Sequence, residues 1–345
     1  MADVDMAPCD DLCARHRAGT RFTATPMPGG ASTRRYYRVA FEDGGSAVAM
    51  FVPEGATPEE IHKAHGGTRW PFLEVQELLA ARGIRVPRVL VEDTDRGWLL
   101  IEDLGDDTLA NYLLRSPGSK TALYTQAVQD LAVAQAALAS LPEGSVVATR
   151  SFDYDLLFWE IEHFREWGVE GRGRAIAPDD RKAFDEIASR LARRIADLPR
   201  GFVHRDYQSR NLMVQDGRLV WIDFQDALLG PRVYDLVALL NDSYQEFDRE
   251  FTLARLGEYA EKAGLSAGER EQLSREFDLV TVQRKLKDAG RFVFIDKKKG
   301  NPSFLRFVTP TIQKVKGAID RLKTTDPDMA ALDGVLSRTL GDEYR

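Results

Sequence analysis

Cysteine is nearly absent: Cys9 and Cys13 are the two in 345 residues. No disulfide framework can be built from them, which points to a reducing compartment. Their C-x-x-x-C spacing has no second ligand pair nearby, so a zinc site is not expected either. No apolar run approaches the roughly 18 residues a membrane span requires. The opening MADVDMAPCDD is acidic and lacks an apolar segment, unlike a signal peptide. The expectation is a cytoplasmic chain without a membrane partner. Positive charge is also short: Lys and Arg total 47 against 54 Asp and Glu, a formal charge of −7. A general nucleic-acid binder needs a basic face to neutralise phosphates, so nucleic acid is not an expected partner. No Walker A sequence occurs, which argues against a P-loop nucleotide site. Internal repeats and low-complexity tracts are missing too.

What is present has the composition of a soluble globular chain, 43% hydrophobic and 29% charged, and is long enough for two or three lobes with a substantial core. Residues 36–41 and 47–52 alternate in polarity around the turn EDGG, a hairpin signal. The pair Gly29-Gly30 precedes them. Residues 71–82 read as a helix ended by Gly83. VPRVLVED and GWLLIED read as strands around a turn at 93–97. Beyond Asp103, apolar residues recur at three- and four-residue spacing, and helices are expected over 111–141, 152–167, 178–198, 233–244, 266–289 and 303–322. The class expected is α+β: a small β-rich part over 1–102, then a large α-helical part over 103–345.

The chemistry concentrates in FVHRDYQSRNLMVQ, residues 202–215. A polar knot between two apolar runs reads as a loop joining buried strands. It has the form H-x-D-x-x-x-x-N, with His204, Asp206 and Asn211. A second run, LVWIDFQDA, ends in an acid at Asp223. Asn and Asp oxygens are hard ligands suited to Mg²⁺, which takes few protein ligands plus phosphate oxygens. Asp206 is free to accept a hydroxyl proton. A base and two metal ligands form the parts list of phosphoryl transfer.

HRDYQSRN followed by IDFQDA resembles the catalytic and metal-binding segments of the aminoglycoside phosphotransferase/choline kinase-like family, which shares the protein kinase fold. GPRVYDLVALL resembles that family's G-P-x-x-Y-D-L segment, and the likeness covers roughly residues 20–320. Within the family, PGGASTRRYYRV, RDYQSRNLM, IDFQDALLGPRVYDLVALLND and QRKLKDAG are most similar to the bacterial N-acetylmuramate/N-acetylglucosamine 1-kinases of cell-wall recycling. The resemblance implies a bilobal kinase-like fold, ATP and Mg²⁺ as cofactors, and a small-molecule sugar as substrate of a monomeric enzyme. It implies Asp206 as base, Asn211 and Asp223 on Mg²⁺, and His204 ordering the catalytic loop, with Asp235 a structural acid behind it. Arg210 is placed with the catalytic group. Arg205, Tyr207 and Asp226 are candidates for substrate contact, Asp226 being equally suited to a metal edge or a turn cap. Glu102, Asp103 and Leu104 form the expected hinge that receives adenine.

One departure stands out. The third strand, AVAMFVP, has no lysine where kinases pair one with the nucleotide phosphates. Arg34, Arg35 and Arg38 could supply that charge. Gly29, Gly30 and Ser32 on the preceding loop would bring backbone N–H groups to phosphate. The plainer alternatives are a hairpin turn for the glycines and a solvated strand face for the arginines. His62 and His65 read as surface residues. Phe158, Trp159, Phe164 and Trp167 read as helix core. Asp242, Glu246, Asp248 and Glu250 read as a solvated helix start, and Lys297–Lys299 as an exposed loop, the alternative being attraction of an anionic substrate such as one with the lactyl carboxylate of N-acetylmuramate. The rivals to a sugar kinase are an aminoglycoside or other small-alcohol kinase, whose amines would want an acidic wall, and a nucleotide-binding pseudokinase without turnover.

Overall fold

The structure is a computed structural model and describes residues 4–28, 33–53 and 69–344. The strands run β1 (Phe22–Pro26), β2 (Arg35–Phe41), β3 (Ser46–Phe51), β4 (Val89–Asp93), β5 (Trp98–Glu102), β6 (Arg200–Val203), β7 (Leu212–Gln215), β8 (Arg218–Trp221) and β9 (Leu228–Pro231). The chain folds as two compact units, one of residues 1–112 with 211–226, the other of 113–210 with 227–345.

The first unit is built on an antiparallel five-stranded sheet of order β1-β2-β3-β5-β4. The alternation read in the sequence sets its buried face. Val39, Phe41, Ala47, Ala49, Trp98 and Leu100 pack together, and Cys9, Leu12 and Cys13 of the Ala7–His16 helix close over them. Both thiols are free and buried. The EDGG turn forms as expected, because Gly44 and Gly45 sit at φ of 95° and 82°, where a side chain is disfavoured. The β7–β8 hairpin belongs to this same unit: the Val214 amide donates to the Asp107 carbonyl at 2.7 Å, and the Trp221 amide to the Arg85 carbonyl at 2.9 Å. Phe224 packs against Phe72 of the Pro71–Ala81 helix, with ring centroids 5.1 Å apart and the ring planes tilted by 31°.

The second unit is helical around the 33-residue helix Ala267–Lys299. A Ser266/Glu269 capping box starts that helix and Gly300, at φ 65°, ends it. It outruns the expected end at residue 289 because Phe292, Val293 and Ile295 prolong its buried stripe. Lys297–Lys299 are therefore its last turn rather than a loop, at the end where the helix dipole favours cations. Helix Tyr154–His163 continues into a π-helical turn, Phe164–Val169. There Gly290 lets the backbones meet, since a Cβ on it would lie 2.8 Å from the His163 carbonyl oxygen. Phe164 is core, but Trp159 is 42% exposed, because the helix buries its Leu156, Leu157, Glu160 and Ile161 face instead. Residues 302–307 form a 3₁₀ turn, so the expected helix at 303 starts at Val308. Strands β6 and β9 pair within this unit.

Candidate active site

In the second unit, β6 delivers the chain into the loop that carries Asp206. The backbone N–H groups of His204 and Arg205 donate to Asp235 Oδ2 and Oδ1 at 2.6 and 3.0 Å. Asp235 comes from the first turn of the short helix Tyr234–Leu240 and is fully buried. This clamp holds Arg205 at φ 80°, left-handed geometry that costs a non-glycine residue on the order of 1–3 kcal/mol. The Asp206 amide donates to His204 Nδ1 at 3.3 Å, so the imidazole braces the turn. The Asp206 side chain keeps 37% of its surface accessible. Burial pushes its carboxyl up, but Arg284, Lys287 and Arg205 pull it further down, and the net position lies below the ordinary carboxylate value. Arg284 is the main cation: Nη2 lies 3.5 Å from Asp206 Oδ1, while Nη1 donates to the Arg205 carbonyl at 2.7 Å.

The rest of the loop is anchored by Asp242. Its Oδ2 accepts from the Ser209 amide at 3.0 Å and the Ser209 hydroxyl at 2.5 Å, and its Oδ1 accepts from the Tyr244 amide at 2.9 Å. Asp242 is fully buried, which corrects the expectation of a solvated helix start. Of its three companions, Asp248 does cap a helix, accepting from the Phe251 amide at 2.7 Å. Asp242→Ala is expected to lower the unfolding free energy by about 3 kcal/mol, since it strands several buried donors at once. The urea midpoint should fall with an unchanged slope; an unmoved midpoint would show that the anchor is dispensable.

Two substrate candidates are placed otherwise than expected. Tyr207 is fully buried and its hydroxyl donates to the Ala127 carbonyl at 2.9 Å, so it secures the loop to the helix Lys120–Ala137. Arg205 is buried too, its Nη2 lying 3.7 Å from Glu160 Oε1. A helix carbonyl takes the Tyr207 hydroxyl and a buried acid takes Arg205, so neither side chain turns to solvent. Arg210 is exposed and lays its guanidinium 3.5 Å over the Tyr244 ring.

In the first unit, the β7–β8 hairpin brings Asn211 and Asp223 together. The Ile222 amide donates to the Asn211 carbonyl at 3.0 Å, and Asn211 Nδ2 lies 3.5 Å from Asp223 Oδ2. Asp223 is exposed and left-handed, at φ 63°. Gln225 Nε2 donates to Asp223 Oδ1 at 3.0 Å and to Asp226 Oδ2 at 3.1 Å, bridging the two acids. Asp226 Oδ1 is buried with no hydrogen-bond partner among the described residues. An amide oxygen, an accessible carboxylate and an orphaned carboxylate oxygen fit a hard cation such as Mg²⁺. Among the described residues no group of three or more His, Cys, Asp and Glu could hold a metal alone. Such an ion would complete its shell with water and phosphate, as Mg²⁺ does.

The strand without lysine is β3, where Met50 is fully buried between Tyr36 and Leu99 in register. Arg38 is committed elsewhere, to Asp103 at 3.0 Å and Asp106 at 2.8 Å. Arg35 sits at the start of β2, opposite Phe51. Of the three, Arg34 comes near the metal-ligand candidates, its Nη1 3.9 Å from Asp223 Oδ1. At the end of β5, Glu102 pairs with Arg85 at 2.6 Å and Arg88 at 3.4 Å, and Leu104 is half-buried. Gly29, Gly30 and Ser32 lie outside the described residues, as do His62 and His65.

Sequence reasoning missed the charges on the long helix. Arg284 and Lys285 are 2% and 1% exposed. Lys285 Nζ donates to Ser243 Oγ at 3.2 Å and to Asp288 Oδ2 at 2.8 Å. Lys287 Nζ lies 3.1 Å from Asp288 Oδ1. Gln283 Nε2 donates to Glu160 Oε2 at 2.7 Å. The signal was there: four ionisable residues within five positions, Arg284 to Asp288, interrupt an apolar helix run and cannot all face solvent.

Compared with known proteins, residues 23–272 match the model of the phosphotransferase enzyme family. The chain belongs to this family. A relative from Neisseria meningitidis serogroup B, named N-acetylmuramate/N-acetylglucosamine kinase, is 34% identical over 93% of the chain and 92% of the relative. A protein of the same name from Pseudomonas aeruginosa is 32% identical over 90% of the chain and 87% of the relative. Among solved structures, LicA in complex with AMP superposes with a TM-score of 0.60 at 15% identity, covering 92% of the chain and 100% of LicA. This family member is a phosphotransferase with the α+β, kinase-like fold expected from its motifs.

Proposed function

We propose that the protein is an ATP- and Mg²⁺-dependent kinase that phosphorylates the anomeric hydroxyl of an N-acetylated amino sugar, N-acetylmuramate or N-acetylglucosamine. We further propose that it acts in the cytoplasm as a monomer, with a division between lobes at 102/103. The substrate class rests on the relatives named above, which match nearly end to end. What carries the chemistry is the Asp206 carboxylate. It is accessible, kept ionised by Arg284, and fixed by a loop whose amides are clamped on Asp235.

In this reading Asp206 orients the sugar hydroxyl and accepts its proton as the phosphoryl group transfers. His204 keeps the turn that presents it. Arg210 acts through Tyr244, stiffening the loop next to Asn211. Asn211, Asp223 and Asp226 would hold Mg²⁺, which when bound would neutralise charge on the phosphate oxygens. Arg34 takes the part of the missing strand lysine, with Arg35, Gly29, Gly30 and Ser32 as further phosphate contacts. Backbone groups at Glu102, Asp103 and Leu104 receive the adenine.

The deciding experiment incubates the purified protein with ATP, Mg²⁺ and a sugar panel: N-acetylmuramate, N-acetylglucosamine, glucosamine, glucose, galactose and kanamycin. ADP release gives turnover, and phosphorus NMR of the product shows whether the phosphate couples to the anomeric proton. Coupling with an N-acetylated amino sugar is the expected result. Turnover confined to kanamycin would replace this reading with an aminoglycoside kinase.

A further inference from the structure

One guanidinium holds the stretch of chain that follows β5. Arg38 stands on β2 opposite Val48 of β3, and Val48 stands opposite Ile101 of β5. The three share a row on the face of the sheet turned away from the Ala7–His16 helix. From that row the arginine reaches the chain just past Glu102. Its Nη1 and Nη2 donate to Asp106 Oδ2 and Oδ1 at 2.9 and 2.8 Å, a bidentate pair. Nη2 also donates to the Gly105 carbonyl at 3.2 Å and to Asp103 Oδ1 at 3.3 Å, while Nε lies 3.0 Å from Asp103 Oδ2. Asp103 Oδ1 accepts in turn from the Gly105 amide at 2.9 Å, and this side chain is 6% accessible. Glu102 is tied separately, to Arg85 at 2.6 Å and to the Arg88 amide at 3.1 Å. The side chains of Glu102, Asp103 and Asp106 are thus all engaged within the unit. Between them, Leu104 is half-buried, and its backbone N–H and C=O have no partner among the described residues. A buried backbone donor and acceptor left open in a tied stretch suit a ligand edge that offers one of each.

We propose that Arg38 is the positioning residue for the nucleobase: it sets residues 103–105 in place before a nucleotide arrives, and it does not touch the phosphates. This rests on the nucleotide reading given above. A planar fork with donors at fixed angles holds two carboxylates and a carbonyl at once, which a single ammonium does not. An irregular stretch loses conformational entropy when a ligand orders it. Ordering it beforehand therefore appears as affinity for the part of the ligand that meets it. The Asp106 end of the clasp is 77% accessible, where an ion pair adds little to stability. Its effect belongs in binding rather than in folding.

The test separates the two ends of the nucleotide. ADP carrying a fluorescent label on the ribose is displaced from the full chain by adenosine and, separately, by tripolyphosphate with Mg²⁺. In Arg38→Met the dissociation constant of adenosine should rise about tenfold, the factor for ordering roughly one further backbone residue on binding. The tripolyphosphate constant should stay within about twofold. In turnover the loss should sit in the KM for ATP, with kcat held. An adenosine constant equal to that of the wild type would overturn the proposal. A matching loss for tripolyphosphate would overturn it too, and would make Arg38 a phosphate contact in place of the strand lysine. Should Arg38→Met fail to fold, Asp106→Asn decides: the adenosine constant should rise about threefold with tripolyphosphate unmoved, and no rise sinks the idea. A wild type that binds no ADP would remove the function proposed above together with this inference. A wild type that binds ADP no better than the variants would remove this inference alone.

Discussion

Asp206→Asn is expected to cut kcat by about 10²–10⁴-fold, the range of a positioned general base, with a modest fall in the unfolding midpoint from the lost charge pairing with Arg284. The size and hydrogen-bonding frame of the side chain are conserved, and the backbone is fixed from outside by Asp235 and His204. What disappears is the acceptor for the hydroxyl proton. ATP binding should persist, because Asp206 is given no part in it. Together these outcomes distinguish an enzyme from a nucleotide-binding module, which has no use for the base. A variant that keeps a tenth of wild-type turnover would sink the assignment. The wild-type pH profile supplies a second check. The carboxyl sits below its ordinary value, so the base stays active as pH falls until that lowered value is reached. Stability follows the same sign: the contribution is present above the unfolded carboxylate range and is lost as pH falls through the folded value.

The second large effect is expected at Asp223. Asp223→Asn should lower kcat/KM by about 10²–10⁴-fold, the equivalent of several kcal/mol of charge stabilisation, and should raise the Mg²⁺ concentration needed for half-maximal rate. The variant is structurally gentle. Asparagine tolerates the left-handed backbone that Asp223 adopts at φ 63°, and the side chain is exposed. A Mg²⁺ titration of ADP release reads the effect directly. If rate and Mg²⁺ dependence both match the wild type, the pairing of Asn211 with Asp223 serves only the hairpin.

The parts of the site readable in advance are those where polarity contradicts its surroundings. Asp206, Asn211 and Asp223 lie between short apolar runs that can only be strands, so their positions at strand ends follow locally. Tyr207 lies in the same knot, yet its direction depends on the Ala127 carbonyl, eighty residues away. Asp242 looks like any acid near a helix start, and its burial follows from the return of the Ser209 loop. Arg284 and Lys285 belong to a helix whose surroundings come from both ends of the unit, so their role is a product of packing. The helices Ala7–His16, Arg249–Lys262 and Pro327–Leu340 were not legible, the first two because charged residues dilute their apolar faces. Tertiary contact rather than propensity settles such elements.

The hairpin that carries Asn211 and Asp223 also imposes a schedule on synthesis. The first unit takes residues up to 112 and then waits for 211–226. At about 5–20 residues per second, the ribosome needs roughly 5–20 s to make the intervening hundred. During that interval Phe72 lacks its partner Phe224, and the Arg85 and Asp107 carbonyls lack the amides of Trp221 and Val214. The nascent unit must remain soluble without these contacts, and a fragment ending near residue 112 is expected to collect in inclusion bodies where the full chain does not.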